Sequence, residues 1–284
     1  MIKIEKTDIH GWEAAIRGAR NSFNSWDKSD SGRDADWYGN DSVVVDADSE
    51  EYIVLHIGPN DQKLMKKLAK AGPSHAKYRR FITVTMDVTG PLYWWKEMDT
   101  YKVGTVGNSC STMHKIADKE FELEDFSHEH LDDEYECVKL PCADPYEGGF
   151  QTSIGLLLDT IEALNWWRKQ YLHQKEISSG QERLNWCWWQ MIQLLPSSYN
   201  QKRTLLVNYE VLANIYHQRK GHRLDEWRTF CEWIEGLPMS EIITGISYEP
   251  DSNTIEKLVD CGNVYPISPE ECRDLMKKET EAAK

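Results

Sequence analysis

Asn208, Glu210, Asn214, His217 and Arg219 set five polar side chains into a segment that otherwise reads as a buried helix. Val207, Val211, Leu212, Ile215 and Tyr216 recur at i, i+4, i+5, i+8 and i+9, the spacing of a helix packed into a core. Residues 195–219 therefore read as one helix. Asn208 and Arg219 would share one face of it about 16 Å apart along the axis, a nucleotide-sized span. Glu210, Asn214 and His217 take other angles, so little of the helix is left as a solvated back. A buried amide or guanidinium must find partners or a ligand.

The elements that must position these groups follow from the rest of the chain. Residues 7–23 read as a short helix closing in an Arg-Asn-Ser-Phe turn, and residues 24–50, rich in Asp, Ser, Gly and Asn, read as loop. Leu64, Leu68 and Ala71 mark a helix over 61–71, stopped by Gly72-Pro73. The run 81–88 alternates as a strand, and Gly90-Pro91 breaks it and opens a helix through Trp94, Trp95 and Met98 with proline at the first position. Residues 103–112 read as a Gly/Ser/Thr/Asn loop. Helices are expected over 153–174, 182–194 and 225–236, with a charged tail from Ser268. No internal repeat is visible. The order predicts an α+β protein, one domain with a small central sheet and several long helices over 1–240, followed by an extension over 241–284.

Composition narrows the function. The chain has 284 residues, 40% of them hydrophobic, enough for a real core. No run of apolar residues is long enough for a membrane span, and residues 1–6 do not make a leader, so the expectation is a soluble, cytoplasmic protein with no membrane partner. The seven cysteines are scattered without a CxxC pair, which predicts free thiols rather than a disulfide framework or zinc site. A net charge of −14 opposes binding to a phosphate backbone, so nucleic acid is not expected as a partner. Residues 118–147 hold twelve acids against Lys119 and Lys139, a balance of −10, and read as a solvated, peripheral insert. His128-Glu-His130 lacks the spaced partners a metal site needs, and no metal is expected. The twelve tryptophans, several paired on predicted helices, read as core or subunit interface; stacking on a flavin or base is the alternative.

Three segments, in this order, resemble the flavin-dependent thymidylate synthases. Ala14-Ala-Ile-Arg-Gly-Ala-Arg-Asn-Ser22-Phe23 is similar to the family's N-terminal Arg-rich segment ending in Ser and an aromatic residue. The strand, Gly-Pro, helix and then Asn108-Ser-Cys-Ser111 resemble its signature region, and the stretch from Leu195-Pro through Asn208 to Arg219 resembles its Leu-Pro to Arg helix. The resemblance covers about residues 5–235 without the acidic insert. It implies a homotetramer with active sites shared between subunits, using FAD, NADPH and methylenetetrahydrofolate to convert dUMP to dTMP without a cysteine nucleophile. Carried over by position, Arg219 is the catalytic group that holds the pyrimidine. Ser111, Lys102 and Glu97 join it on the substrate. Ser22, Asn108, Asn208, Asn214 and Tyr101 fall to the cofactor. Serine and asparagine can donate to phosphate or flavin oxygens, and arginine offers a planar fork to a carbonyl edge.

The departures bear on the reaction. Thr100-Tyr101-Lys102 stands where the family has Arg-His-Arg, Glu97 replaces a glutamine, and Ser109 and Met113 replace a glutamate and an arginine. Glu210 and Ile192 occupy positions of further arginines. Each lost charge-assisted contact is worth about 1.5–3 kcal/mol to an anionic ligand. Lys77, Arg79, Arg80, Lys115, Lys202 and Arg203 are the cations available as replacements. Three functions stay open: reductive one-carbon transfer to C5 of a pyrimidine deoxynucleotide, a nucleotide-binding or assembly protein without catalysis, and hydroxymethylation at C5. Structural alternatives also stand beside the site assignments. Arg219 with Lys220-Gly221-His222 can serve as a helix C-terminal cation, Asn108 and Ser111 as ordinary loop residues, and His222 with Glu226 as a surface or capping pair.

Overall fold

The computed structural model describes residues 1–33, 42–44, 54–111, 115–139, 150–178 and 180–245. Strand β1 (Lys3–His10), β5 (Thr83–Pro91), β6 (Val106–Ser109) and β9 (Asn200–Asn208) form a four-stranded sheet in the order β1-β5-β9-β6. The edge strand β1 is rich in charge, which suits an edge that must resist further pairing. The inner strand β5 alternates Val84, Met86 and Val88, all buried, with Thr83, Thr85 and Asp87. A second sheet joins β2 (Gly32–Arg33), β4 (Val54–His56) and β3 (Ser42–Val44) antiparallel, and β7 (Glu136–Lys139) pairs antiparallel with β8 (Phe150–Thr152). The helices are α1 (Trp12–Asn21), α2 (Pro59–Lys70), α3 (Leu92–Met98), α4 (Ser153–Glu176), α5 (Gln181–Leu194), α6 (Tyr209–Arg219), α7 (Asp225–Glu235) and α8 (Glu241–Thr244).

Two compact units divide the chain. One comprises Met1–Lys3, Thr89–Thr100 and Asn108–Arg203; the other comprises Ile4–Val88, Tyr101–Gly107 and the described residues from Thr204 on. In the first, the α4–α5 hairpin buries Leu157, Ile161, Leu164 and Met191 against Ile116, Phe121 and Phe126. Thr152 caps α4 by accepting from the Gly155 amide at 3.1 Å. The first amides of α3 are satisfied by the carbonyls of Tyr199 and Ser197, both at 3.0 Å, and the Trp95 indole donates to the Gln201 carbonyl.

In the second unit, α1 turns Trp12, Ala15, Ile16 and Ala19 inward. Gly11, which precedes α1, has φ +93°, and a Cβ there would stand 1.8 Å from the Phe81 carbonyl oxygen, so only glycine makes this turn. Trp12 meets Tyr209 edge to face at 5.4 Å. Val211, Leu212, Ile215 and Tyr216 form the buried face of α6, and Trp227, Phe230 and Ile234 that of α7.

The structure corrects several expectations. Residues 195–219 are a strand followed by a helix: β9 buries Gln201, Leu205 and Val207 at period two, and helical spacing begins only after Asn208. The loop expected over 103–112 contains β6, whose four residues are all exposed and so give no apolar pattern. A strand, β1, precedes the N-terminal helix. Pro91 caps α3 rather than opening its first turn. The acidic segment is held down at its start, because Phe121 and Phe126 are core residues. Of the paired tryptophans, Trp94 and Trp95 are buried, whereas Trp166, Trp186 and Trp189 are exposed. Helix α8 and Gly245 are the described part of the expected extension; the rest of 241–284, with Cys261, Cys272 and the charged tail, and likewise Cys142 and Met113, lie outside the described residues.

Candidate functional site

Helix α6 ends in an arginine held in a fixed plane. The Arg219 Nε donates to the Tyr101 hydroxyl at 2.9 Å, and that hydroxyl donates to the Gln218 side-chain oxygen at 3.0 Å. The Arg219 guanidinium carbon lies 4.8 Å from the ring centroid of Trp227 and 5.7 Å from that of Tyr101. Trp227, in the first turn of α7, is fully buried, and Tyr101 stands edge-on to it at 6.0 Å. A hydrogen bond to Nε and an aromatic face together fix the guanidinium plane. The helix end has its own closure: the Arg219 carbonyl accepts from the His222 amide at 2.9 Å, and the Lys220 amide donates to the Tyr216 carbonyl. His222 accepts from the Leu224 amide at 3.2 Å, and Glu226 is buried.

The other end of α6 carries an asparagine and an ion pair. The Asn208 side-chain oxygen accepts from the amides of Glu210 and Val211 at 3.1 and 3.0 Å, so it is the N-cap. Gly104, with φ +81°, lies so close that a Cβ would come within 2.9 Å of the Asn208 amide nitrogen. Glu210, in the first turn where an acid suits the helix dipole, is held by two nitrogens of Arg80, with Nη2 at 3.0 Å. Arg80, one of the cations expected to be available to an anionic ligand, is thus engaged by Glu210.

The remaining expected residues of this unit are at the surface. Lys102 is exposed beside Tyr101, Asn214 is exposed on α6, and Ser22 is exposed at the end of α1. Close to Ser22, Arg20 is buried and donates from Nε to Asp61 at 2.6 Å. The other Asp61 oxygen accepts from the Ser29 and Ser31 hydroxyls, both at 2.7 Å, and from the amides of Asp30 and Ser31. Burial pushes the Asp61 carboxyl up, but the bonds from Ser31 and Ser29 and the Arg20 guanidinium outweigh it and hold it below the usual carboxylate value. Arg79 is buried next to Tyr78, whose hydroxyl burial pushes up to about 12.

Glu97, Asn108 and Ser111 belong to the other unit. Glu97 is half-buried on α3, Asn108 is exposed on β6, and Ser111 is half-buried after it. The loop is clamped there: the Cys110 amide donates to the Lys202 carbonyl and the Gln201 side chain donates to the Cys110 carbonyl, both at 2.9 Å. Arg203 pairs with Asp99 at 2.7 Å over the Trp95 ring, and Lys115 with Asp118 at 2.8 Å. Within the described contacts the structure joins Tyr101 to Arg219 and sets Asn214 on the same helix as Arg219, with Asn208 as that helix's N-cap.

Trp227 and Gln218, which orient the Arg219–Tyr101 pair, were not expected from the sequence. Both lie within eight residues of Arg219, yet only the fold shows that Trp227 returns against it. Among the described residues no group of three His, Cys, Asp or Glu could hold a metal ion, and no helix is long and apolar enough to cross a membrane.

No family model matches the sequence, and no curated protein matches it. Solved structures do share the fold. Thymidylate synthase X from Helicobacter pylori with FAD and dUMP superposes with a TM-score of 0.51 at 13% identity, over 86% of this chain and 98% of that one. A flavin-dependent thymidylate synthase from Helicobacter pylori complexed with FAD and dUMP gives 0.51 at 14% identity over the same shares. The chain has the α+β fold of the flavin-dependent thymidylate synthases.

Proposed function

We propose that this chain binds a pyrimidine deoxynucleotide, dUMP or a relative, and modifies it at C5 by reductive one-carbon transfer. The observation that carries the reading is Arg219, whose guanidinium plane is set by the Tyr101 hydroxyl and the Trp227 ring. A fixed planar fork suits the carbonyl and imide edge of a pyrimidine, where a flexible ammonium does not. Lys102 is proposed to join Arg219 on the nucleotide, and Ser111 and Glu97 are proposed nucleotide contacts of the other unit.

FAD, which the two similar structures hold, is the proposed cofactor. Ser22, Asn108, Asn208, Asn214 and Tyr101 are the proposed contacts, and their neutral donors and acceptors suit the ring system of a flavin. The diphosphate fits less well, since Arg80, a candidate cation for it, is tied to Glu210. When bound, FAD would supply the reducing equivalents, with NADPH and methylenetetrahydrofolate as co-substrates. The residues of this chain would hold the pyrimidine in plane beside it and exclude water. Exposed Trp166, Trp186 and Trp189 on the α4–α5 hairpin support assembly into a homotetramer, by the apolar area they offer. A cytoplasmic location is part of the same reading.

A second reading has a specific observation in its favour. The Arg80–Glu210 pair cancels charge at the start of α6, which favours a nucleotide-binding or assembly protein without flavin. Absorbance of the purified protein and titration with FAD separate the two. A yellow protein, or micromolar FAD affinity, is expected. A colourless protein without FAD affinity overturns the enzyme and leaves the second reading; C5 hydroxymethylation would show as a hydroxymethyl product in a turnover assay with dUMP.

A further inference from the structure

Helix α2 concentrates positive charge on a strongly acidic chain. Lys63, Lys66, Lys67 and Lys70 stand at i, i+3, i+4 and i+7, one face of the helix, and with Pro59 and Gln62 they line a groove of about 510 Å³. Only Lys66 has a carboxylate partner, Glu241 at 2.9 Å; Lys63, Lys67 and Lys70 are exposed with no carboxylate in ion-pair range among the described residues. Like charges at i and i+4 repel; Glu241 offsets this at Lys66 and the helix C-terminus suits Lys67 and Lys70, while Lys63 lies outside that last turn.

One aromatic ring accompanies the stripe. Lys67 Nζ lies 5.9 Å from the ring centroid of Phe23, and that ring is 55% exposed. Lysines are hydrated point charges suited to flexible phosphates, and an exposed ring stacks a base. Lys63 and Lys70 are seven residues apart, about 10 Å along the axis, which suits an oligophosphate rather than one phosphate. The net charge of −14 repels a long strand, while a local groove of opposite sign still concentrates a small polyanion.

We propose that the α2 groove binds a polyphosphorylated nucleotide, with its phosphates on Lys63, Lys67 and Lys70 and its base on Phe23. The site is separate from Arg219 and does not depend on the pyrimidine chemistry proposed there.

The test is calorimetric titration of ATP, AMP, inorganic tripolyphosphate and a (dT)12 oligonucleotide. The proteins are the full chain, Lys63→Gln/Lys67→Gln/Lys70→Gln, Phe23→Ala and Arg219→Ala, each with its melting temperature as fold control. ATP is expected to bind at least tenfold tighter than AMP and to weaken with salt. The lysine variant should lose at least tenfold and Phe23→Ala at least threefold, with Arg219→Ala unchanged. Absence of ATP binding, or a lysine variant that binds like wild type, overturns the site. Tripolyphosphate binding as tightly as ATP, indifferent to Phe23→Ala, overturns the nucleotide. A (dT)12 strand that binds more tightly than ATP and is lost in the lysine variant overturns it in favour of single-stranded nucleic acid. Binding of dUMP, measured separately, decides the Arg219 site without touching this one.

Discussion

Replacing Asp61 with asparagine tests the anchoring of α1 and the Ser22 end of the site. The Arg20 and Asp61 side chains are 7% and 1% exposed, so neither charge has water to fall back on. In Asp61→Asn the side-chain oxygen could still accept from Arg20, but the new amide group would face four donors: two hydroxyls and two backbone amides. Breaking one side of a buried pair costs about 3–5 kcal/mol, a large part of a typical total of about 5–15 kcal/mol. Urea unfolding at neutral pH reads this as a lower midpoint at unchanged slope. The pH dependence has a definite sign. The folded carboxyl titrates below its unfolded value of 3.8, so its stabilisation is present above that value and is lost as the pH falls through the folded one. The variant should lack this acid loss. A loss for Asp61→Asn under about 1 kcal/mol, or an acid limb identical to wild type, would refute the reasoning.

Tyr101→Phe removes one hydrogen bond to Arg219 but leaves it stacked on Trp227, so dUMP should bind about fivefold more weakly, near 1 kcal/mol, with little change in melting temperature; unchanged affinity in calorimetry would mean that the hydroxyl does not position the arginine. Phe126→Ala should destabilise by about 3–5 kcal/mol in urea, because the ring is 1% exposed; an unaltered midpoint would return the acidic segment to the periphery.

Where spacing and burial coincide, the fold was legible. The helices α2, α4, α5 and α7 fall within about two residues of their expected ranges, since each carries regular apolar spacing and, for α2, a Gly-Pro stop. The strand β9 was hidden because Val207, its last buried residue, also fits the spacing of the helix that follows. Strand β6 was hidden for the opposite reason, having no buried residue. Phe121 and Phe126 were masked by the acids around them, which set the mean charge while two rings set the packing.

The pairings within the candidate site were not legible in the sequence. Tyr101 and Arg219 were both expected, on cofactor and substrate, yet the structure makes them partners, with Trp227 behind. Asn208 was expected on a helical face and instead caps the helix, which satisfies its oxygen locally. The pairs Arg20–Asp61 and Arg80–Glu210 join residues far apart in sequence, and no local pattern announces them.

Calorimetric titration of dUMP into wild type, Arg219→Ala and Arg219→Lys tests the central claim most directly, with melting temperature as fold control. Truncating one partner of a buried charged contact should weaken dUMP by about 2–4 kcal/mol, about 30- to 900-fold, and leave the fold intact. Arg219→Lys should not restore binding, because an ammonium cannot reproduce the planar fork. Absence of dUMP binding by wild type, or equal affinity in Arg219→Ala, would contradict a pyrimidine site at the end of α6.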